Sequence, residues 1–326
     1  MDSPLVLVIE AGLYEDFSVE EEALANEAAV VRAGDIDTPE AVAAATAGAH
    51  ALILGSREIP EDRWRALSPS VRVVVRAGAG LDNVDFDVMR ERGIAVLHLP
   101  DFCVEEVATH ALTLVLALTR KLPECSAAIA GEWDVRPHGL RPLSELTVGL
   151  IGGGGRTGKL LAKWMTPLVG EVLIFDPYAD TSTVGRQVGT LGELLAESDM
   201  VSIHVPLTDE TTHMIGADEF AAMRPGAGLV NIARGGVVDE VALVEALESG
   251  RLGGAAIDVF DAEPLPQDSP LRAAPNVILT PHIAWYSEAS DLRMRIDSVV
   301  GPVDYLRGRA LRVTTIAHDP MVAVPS

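Results

Sequence analysis

Four consecutive glycines, Gly152 to Gly155, lie between an apolar strand-length run and an amphipathic stretch, and nothing else in the chain narrows its fold as much. The run before them is Thr147-Val-Gly-Leu-Ile, and Arg156-Thr-Gly158 and a helix over Lys159–Met165 come after. Gly153-x-Gly155-x-x-Gly158 fits the dinucleotide fingerprint, and a strand before and a helix behind are the context that gives the spelling meaning. A tight turn, a close backbone approach to pyrophosphate and close helix–strand packing each exclude a β-carbon. The helix start then offers N–H groups to the anion. The next strand, Val172–Phe175, ends at Asp176, about 20 residues past the glycines. A carboxylate there accepts from an adenosine ribose 2′-OH and repels a 2′-phosphate, so the expected cofactor is NAD rather than NADP.

Short apolar runs alternate with helical stretches on both sides of this loop. Leu5–Ile9, Ala51–Leu54, Val71–Val75 and Ile94–Leu97 read as strands, and the order strand–helix–strand implies parallel pairing through helical crossovers. Ser18 with Glu21 spells a capping box, Thr38-Pro39 a cap with proline at the first helical position, and Asp85 a cap for Phe86–Arg92 ahead of Gly93. A long, mostly buried helix is expected over Val104–Lys121, stopped by Pro123. Gly131–Ser144 reads as loop. A second series of strands follows at Thr147–Ile151, Val172–Phe175, Met200–Val205, Gly228–Ile232, Ala255–Val259 and Val277–Leu279. A last amphipathic helix spans Ser287–Leu306, and residues 309–326 show no period. The expected class is α/β, with two doubly wound parallel-sheet domains. Residues 101–286 form the dinucleotide-binding one, and residues 1–100 with 287–326 form a discontinuous partner.

A chain of 326 residues is long for a single core, which agrees with two domains. Lys and Arg number 25 against 48 Asp and Glu, a formal charge of −23, which repels a phosphate backbone and argues against a nucleic-acid partner. The two cysteines, Cys103 and Cys125, are too few to staple such a chain, so a reducing, cytoplasmic setting is expected. The start lacks the basic region of a signal peptide, and no apolar run approaches membrane-span length. No metal site and no Ser-His-Asp arrangement is spelled.

Three segments end strands of the second series: Asn231-Ile-Ala-Arg234-Gly-Gly, Asp258-Val-Phe-Asp-Ala-Glu263-Pro and Thr280-Pro-His282-Ile-Ala-Trp285. Ligands of open parallel sheets bind beyond the carboxyl ends of the strands, so a guanidinium, a carboxylate and an imidazole can converge there. An arginine fork matches a carboxylate with two parallel hydrogen bonds. A histidine gives or takes the proton of a carbonyl or alcohol oxygen, and a glutamate on its other ring nitrogen fixes the tautomer. Taken alone, each has a structural explanation: Arg234 as a surface cation, Glu263 as a loop charge, His282 as a satisfied histidine. Of the other histidines, His50 and His98 read as structural, His110 as a packed helix residue, and His204 as a strand-end residue near the cofactor.

With Arg76-Ala-Gly-Ala-Gly-Leu-Asp-Asn-Val-Asp85 and Val201-Ser-Ile-His-Val-Pro-Leu-Thr208, these motifs make the chain resemble the D-isomer-specific 2-hydroxyacid dehydrogenases over roughly residues 50–307. The resemblance implies a Rossmann domain, a flavodoxin-like substrate domain and a homodimer. It implies Arg234, Glu263 and His282 as catalytic residues, with arginine orienting a 2-oxo acid, histidine protonating its carbonyl oxygen and glutamate supporting the histidine. Ala79 and Gly80 are implied in binding the substrate carboxylate, and Trp285 in lining the pocket. Implied cofactor contacts are Arg156, Thr157, Asp176, Val205, Pro206, Thr211, Ala233 and Asp258, beside Gly153, Gly155 and Gly158.

This chain departs from the family pattern in places. The usual loop, Gly-Leu-Gly-Arg-Ile-Gly, is one residue shorter than Gly152–Gly158, and Thr157 replaces an apolar residue. Asp101-Phe-Cys replaces a segment of the Asn-Ser type. Glu263 argues against the activity of the relatives that act on formate, and Ala79 stands where phosphite oxidisers carry lysine. The leading expectation is NAD(H)-linked interconversion of a small 2-oxo acid and its D-2-hydroxy acid. Pro100-Asp-Phe-Cys-Val-Glu-Glu-Val107 and Pro281-His-Ile-Ala-Trp-Tyr-Ser287 resemble the branch of C-terminal-binding proteins, so an NADH-binding corepressor-like protein is the alternative. A specialised biosynthetic dehydrogenase acting on an unusual acid, such as a phosphonate, is a third reading.

Overall fold

The computed structural model describes residues 5–320 apart from 35, 130, 132–136, 182 and 313. Part of the loop expected at 131–144 and residues 321–326 of the aperiodic tail therefore lie outside the described residues. The chain divides into two compact units, Met1–Phe102 with Ser287–Ser326, and Cys103–Tyr286.

Strands are numbered along the whole chain. The first unit holds β1 (Leu5–Ile9), β2 (Ala28–Arg32), β3 (Ala51–Leu54), β4 (Val73–Arg76), β5 (Ala95–His98) and β13 (Thr315–His318). Their order is β13-β5-β4-β3-β1-β2, parallel except for β13, which runs antiparallel to β5. The five parallel strands thus follow the flavodoxin-like arrangement 2-1-3-4-5. β3 and β4 are buried at every position, as strands covered by helices on both faces must be. Trp64, Val74, Val88 and Ile94 belong to the core on one side of this sheet. The helix Glu288–Leu306 belongs here too, and its buried residues include Met294, Val299 and Val303. Ser287 caps it by accepting from the Ser290 N–H at 3.0 Å.

The second unit holds β6 (Thr147–Ile151), β7 (Glu171–Phe175), β8 (Arg186–Gln187), β9 (Met200–Ile203), β10 (Ala227–Asn231), β11 (Leu252–Ile257) and β12 (Val277–Leu279). All pair in parallel, in the order β12-β11-β10-β9-β6-β7-β8. This is the Rossmann order with one further strand, and the winding reverses between β6 and β9. Val148 and Leu150 of β6 pack with Leu114 and Val115 of the helix Val104–Thr119, and with Leu161 and Met165 of Arg156–Met165.

Three local expectations change. Ser18 does not cap: it is already helical in Ser18–Leu24, its hydroxyl donates to Asp16 Oδ1 at 2.5 Å, and the cap position falls on Phe17. The long helix ends at Thr119, where Lys121 takes a positive φ of 50°. Pro123 lies in the first turn of a separate helix, Leu122–Ala128, where its missing N–H costs nothing. Thr38 and Asp85 do cap, accepting from Ala41 N at 3.2 Å and Val88 N at 3.0 Å. His50 and His98 are tied to backbone, Nδ1 of the first accepting from Val6 N at 3.1 Å and Nδ1 of the second 2.9 Å from Ala79 O.

Candidate active site

The second unit brings two groups of residues to the carboxyl ends of its parallel strands. One group surrounds the turn after β6. Gly152 takes φ +77°, and a β-carbon on it would lie 2.7 Å from Val205 Cγ1 and 2.8 Å from His204 O. The tight turn therefore falls on Gly152, one residue before the first glycine of the fingerprint as read from sequence. With four glycines in a row, spelling alone does not separate the registers, and backbone conformation does. Gly155 is the N-cap of Arg156–Met165 and supplies no capping side chain. Arg156 and Thr157 open the helix, and a β-carbon on Gly158 would sit 2.7 Å from Gly153 Cα. Backbone donors, a helix start and no space for side chains fit a pyrophosphate. Asp176 stands at the end of β7, where its carboxylate accepts from Gly154 N at 2.8 Å and Tyr178 N at 3.0 Å. Val205 and Pro206 follow β9, and Thr211 Oγ1 donates to Pro206 O at 2.6 Å, closing that loop on itself.

The other group ends β10, β11 and β12. Buried Asn231 shapes the turn after β10, its amide donating to Arg234 O at 2.8 Å and its oxygen accepting from Ala233 N at 3.1 Å. Arg234 is half-buried and donates from Nη1 to Ala233 O at 2.8 Å. Glu263 follows β11. Its Oε1 accepts from Phe260 N at 3.0 Å and its Oε2 lies 2.7 Å from His282 Nδ1. Burial opposes ionisation of Glu263. The His282 hydrogen bond and charge, the Phe260 N–H and the nearby Arg234 charge outweigh it and hold the carboxyl below the usual glutamate range. An ionised Glu263 thus accepts from Nδ1–H, which leaves Nε2 of His282 to exchange the proton.

His282 itself takes φ +51°, a costly conformation for a residue with a β-carbon. Asp258 holds it there. His282 N donates to Asp258 O at 2.7 Å, Ile283 N to Oδ1 at 3.0 Å and Ala284 N to Oδ2 at 2.9 Å. Thr280 Oγ1 adds a bond to Oδ1 at 2.6 Å, and His110 Nε2 lies 3.2 Å from Thr280 Oγ1. The Asp258 side chain, implied as a cofactor contact, is fully buried and braces the His282 loop. His110, expected as a packed helix residue, joins this network; its long sequence separation from Thr280 hid the pairing. Trp285 follows on the same loop, its ring edge-on to Tyr286 with centroids 5.5 Å apart. Ala79 and Gly80 lie in the first unit, in the loop after β4. Among the described residues, no group of His, Cys, Asp and Glu suited to a metal occurs.

His204, at the end of β9, has Nε2 2.9 Å from Ser202 Oγ, while its buried Nδ1 has no hydrogen-bond partner among the described residues. Burial pushes this imidazole from the ordinary 6.5 down to about 4. The native state keeps it neutral while the unfolded chain protonates, so its stabilising contribution is whole above pH 6.5 and drains away as pH falls toward about 4. His204→Gln should therefore flatten the fall of the melting temperature across that window. Equal slopes in variant and parent would remove His204 as the titrating group.

A family model for the NAD binding domain of D-isomer specific 2-hydroxyacid dehydrogenases matches residues 112–284. The chain is 38% identical over 253 residues to the D-3-phosphoglycerate dehydrogenase of Mycobacterium leprae, covering 76% of this chain and 48% of that protein. It thus spans about half the length of the phosphoglycerate dehydrogenases it matches. To the (S)-sulfolactate dehydrogenase of Chromohalobacter salexigens it is 38% identical over 253 residues, 76% of this chain and 82% of that one. The crystal structure of Aquifex aeolicus D-lactate dehydrogenase with NAD and lactic acid superposes with a TM-score of 0.83 at 29% identity, covering 93% of this chain and 96% of that one. With its Rossmann unit, flavodoxin-like unit and matched NAD-binding domain, this chain belongs to the D-isomer specific 2-hydroxyacid dehydrogenase family.

Proposed function

We propose that the protein is an NAD(H)-dependent oxidoreductase that interconverts a small 2-oxo acid and the corresponding D-2-hydroxy acid. The observation that carries this reading is the 2.7 Å pairing of His282 Nδ1 with Glu263, beside the Arg234 charge, at the strand ends of an NAD-binding domain. Bound NADH supplies the hydride for C2 of the acid. Arg234 orients the substrate carboxylate and carbonyl through its fork. His282 Nε2 gives its proton to the carbonyl oxygen in reduction and takes it back in oxidation, while Glu263 keeps Nδ1 protonated and stabilises the imidazolium. Ala79 and Gly80 are proposed to bind the substrate carboxylate through backbone N–H groups, and Trp285 to line the pocket. Gly153, Gly155, Arg156, Thr157, Gly158, Asp176, Val205, Pro206, Thr211 and Ala233 form the proposed cofactor cradle, with Asp258 bracing the loop behind it.

The relatives are named for 3-phosphoglycerate, sulfolactate and lactate, all 2-hydroxy acids, and two of the three carry a further anionic group. A screen of 2-oxo acids with and without a terminal phosphate, sulfonate or phosphonate, followed at the nicotinamide absorbance with NADH and NADPH, tests the reading. Turnover with one of them and NADH is the expected result. Tight NADH binding with no turnover across the panel would favour the corepressor-like alternative. We further propose a homodimer, which the exposed Leu122 and Ile129 support at 54% and 71% exposure. A cytoplasmic setting is supported by the low cysteine count, two in 326 residues. No helix among the described residues is long and apolar enough to cross a membrane.

A further inference from the structure

The glycine turn holds two residues between the turn glycine, Gly152, and the helix cap, Gly155, where a G-x-G spelling holds one. Gly154 does not have a positive φ, so its backbone conformation does not demand glycine. Space does: a β-carbon there would lie 2.5 Å from Asp176 Oδ2 and 2.4 Å from Ala179 Cβ. Only a residue without a side chain brings its N–H to 2.8 Å from Asp176 Oδ2.

We infer that Gly154 is a specificity-determining residue, whose N–H locks the Asp176 carboxylate in the orientation that accepts an adenosine ribose diol and refuses a 2′-phosphate. The inference rests on the proposed role of Asp176 in cofactor binding. Both carboxylate oxygens are fixed, Oδ2 by Gly154 N and Oδ1 by Tyr178 N at 3.0 Å. Each oxygen keeps a second lone pair for a ribose hydroxyl. Turning the carboxylate aside to admit a phosphate would break both bonds, and leaving it in place sets two anions against each other. A free aspartate at a strand end rotates out of the way far more readily. Discrimination between the two cofactors therefore belongs to the pair, not to Asp176 alone.

The test measures dissociation constants of NADH and NADPH by nicotinamide fluorescence, without turnover, for the parent, G154A, D176A and the double variant. G154A should weaken NADH and shrink the NADH-over-NADPH preference by about tenfold, roughly what one charge-assisted hydrogen bond provides. Deleting Gly154 removes the donor without adding a β-carbon and should shrink the preference likewise, which covers the case of a G154A protein that does not fold. The double variant should keep the NADH-over-NADPH ratio of D176A, because the glycine discriminates through the carboxylate, while the Ala179 contact weighs on both cofactors alike. A G154A or deletion protein with the parent's preference, beside a D176A protein that has lost it, overturns the lock and leaves the ribose assignment standing. A G154A change in the cofactor ratio that persists undiminished in the D176A background also overturns the lock, since the loop would then discriminate without the carboxylate. A D176A protein with the parent's preference overturns the ribose assignment and the lock with it.

Discussion

His282→Asn should slow hydride transfer from NADH to a 2-oxo acid by at least about a hundredfold, the range expected when a general acid is removed, while NADH binds as in the parent. Asparagine is the informative replacement. The backbone at His282 has φ +51°, which asparagine tolerates better than alanine does. His282→Ala would add backbone strain to the loss of the imidazole, and a slow alanine variant alone would not separate the two. The loop should otherwise stay in place, because its anchors are backbone N–H groups on Asp258 rather than the ring. Single-turnover stopped flow at saturating NADH and acid reads the step directly. A rate within a few-fold of the parent would take His282 out of the chemistry. Glu263→Gln should give a smaller loss, because an amide still holds the ring but does not stabilise its charged form. The pH at which the parent loses reductive activity on the acid side should lie below the usual glutamate range, since Glu263 stays ionised to lower pH than a free glutamate. That limb should be absent in the glutamine variant.

What the sequence made legible follows from how local each signal is. The glycine turn, Asp176, the caps at Thr38 and Asp85 and the three strand-end segments are set by a few adjacent residues whose chemistry has few alternatives. The strands that carry no sequence signal are edges. β2 and β13 are largely exposed along their length, so neither alternation nor a continuous apolar run marks them. They exist because β1 and β5 offer unpaired backbone edges in the folded unit, which no window of sequence contains. The same reason hid the role of Asp258. The family resemblance implies a cofactor contact for it, while its burial and its three partners from Thr280 to Ala284 are set by the neighbouring strand's loop. Nothing near His110 in sequence marks its place in the same network, because its partner Thr280 lies 170 residues away.

Arg234→Lys should raise the Michaelis constant for the 2-oxo acid by at least about tenfold, with NADH affinity unchanged. The reason is geometric, because lysine keeps the charge and loses the planar fork that meets a carboxylate in two parallel bonds. The buried Asn231 holds the turn through the backbone of residues 233 and 234, so the substitution leaves the local chain where it was. Arg234→Gln separates charge from geometry. Glu263 is held ionised partly by the Arg234 charge. Glutamine should therefore raise the Michaelis constant and also move the acid limb of the rate profile upward, whereas lysine should leave that limb near the parent's. Set beside His282→Asn, the two arginine variants divide the site into a binding half and a proton-transfer half. Arginine loss falls mainly on the Michaelis constant, and histidine loss falls on the rate of the bound complex. A Michaelis constant that stays at the parent's value in both arginine variants would mean that the acid is gripped by other residues, and Arg234 would then act only as an electrostatic neighbour of Glu263.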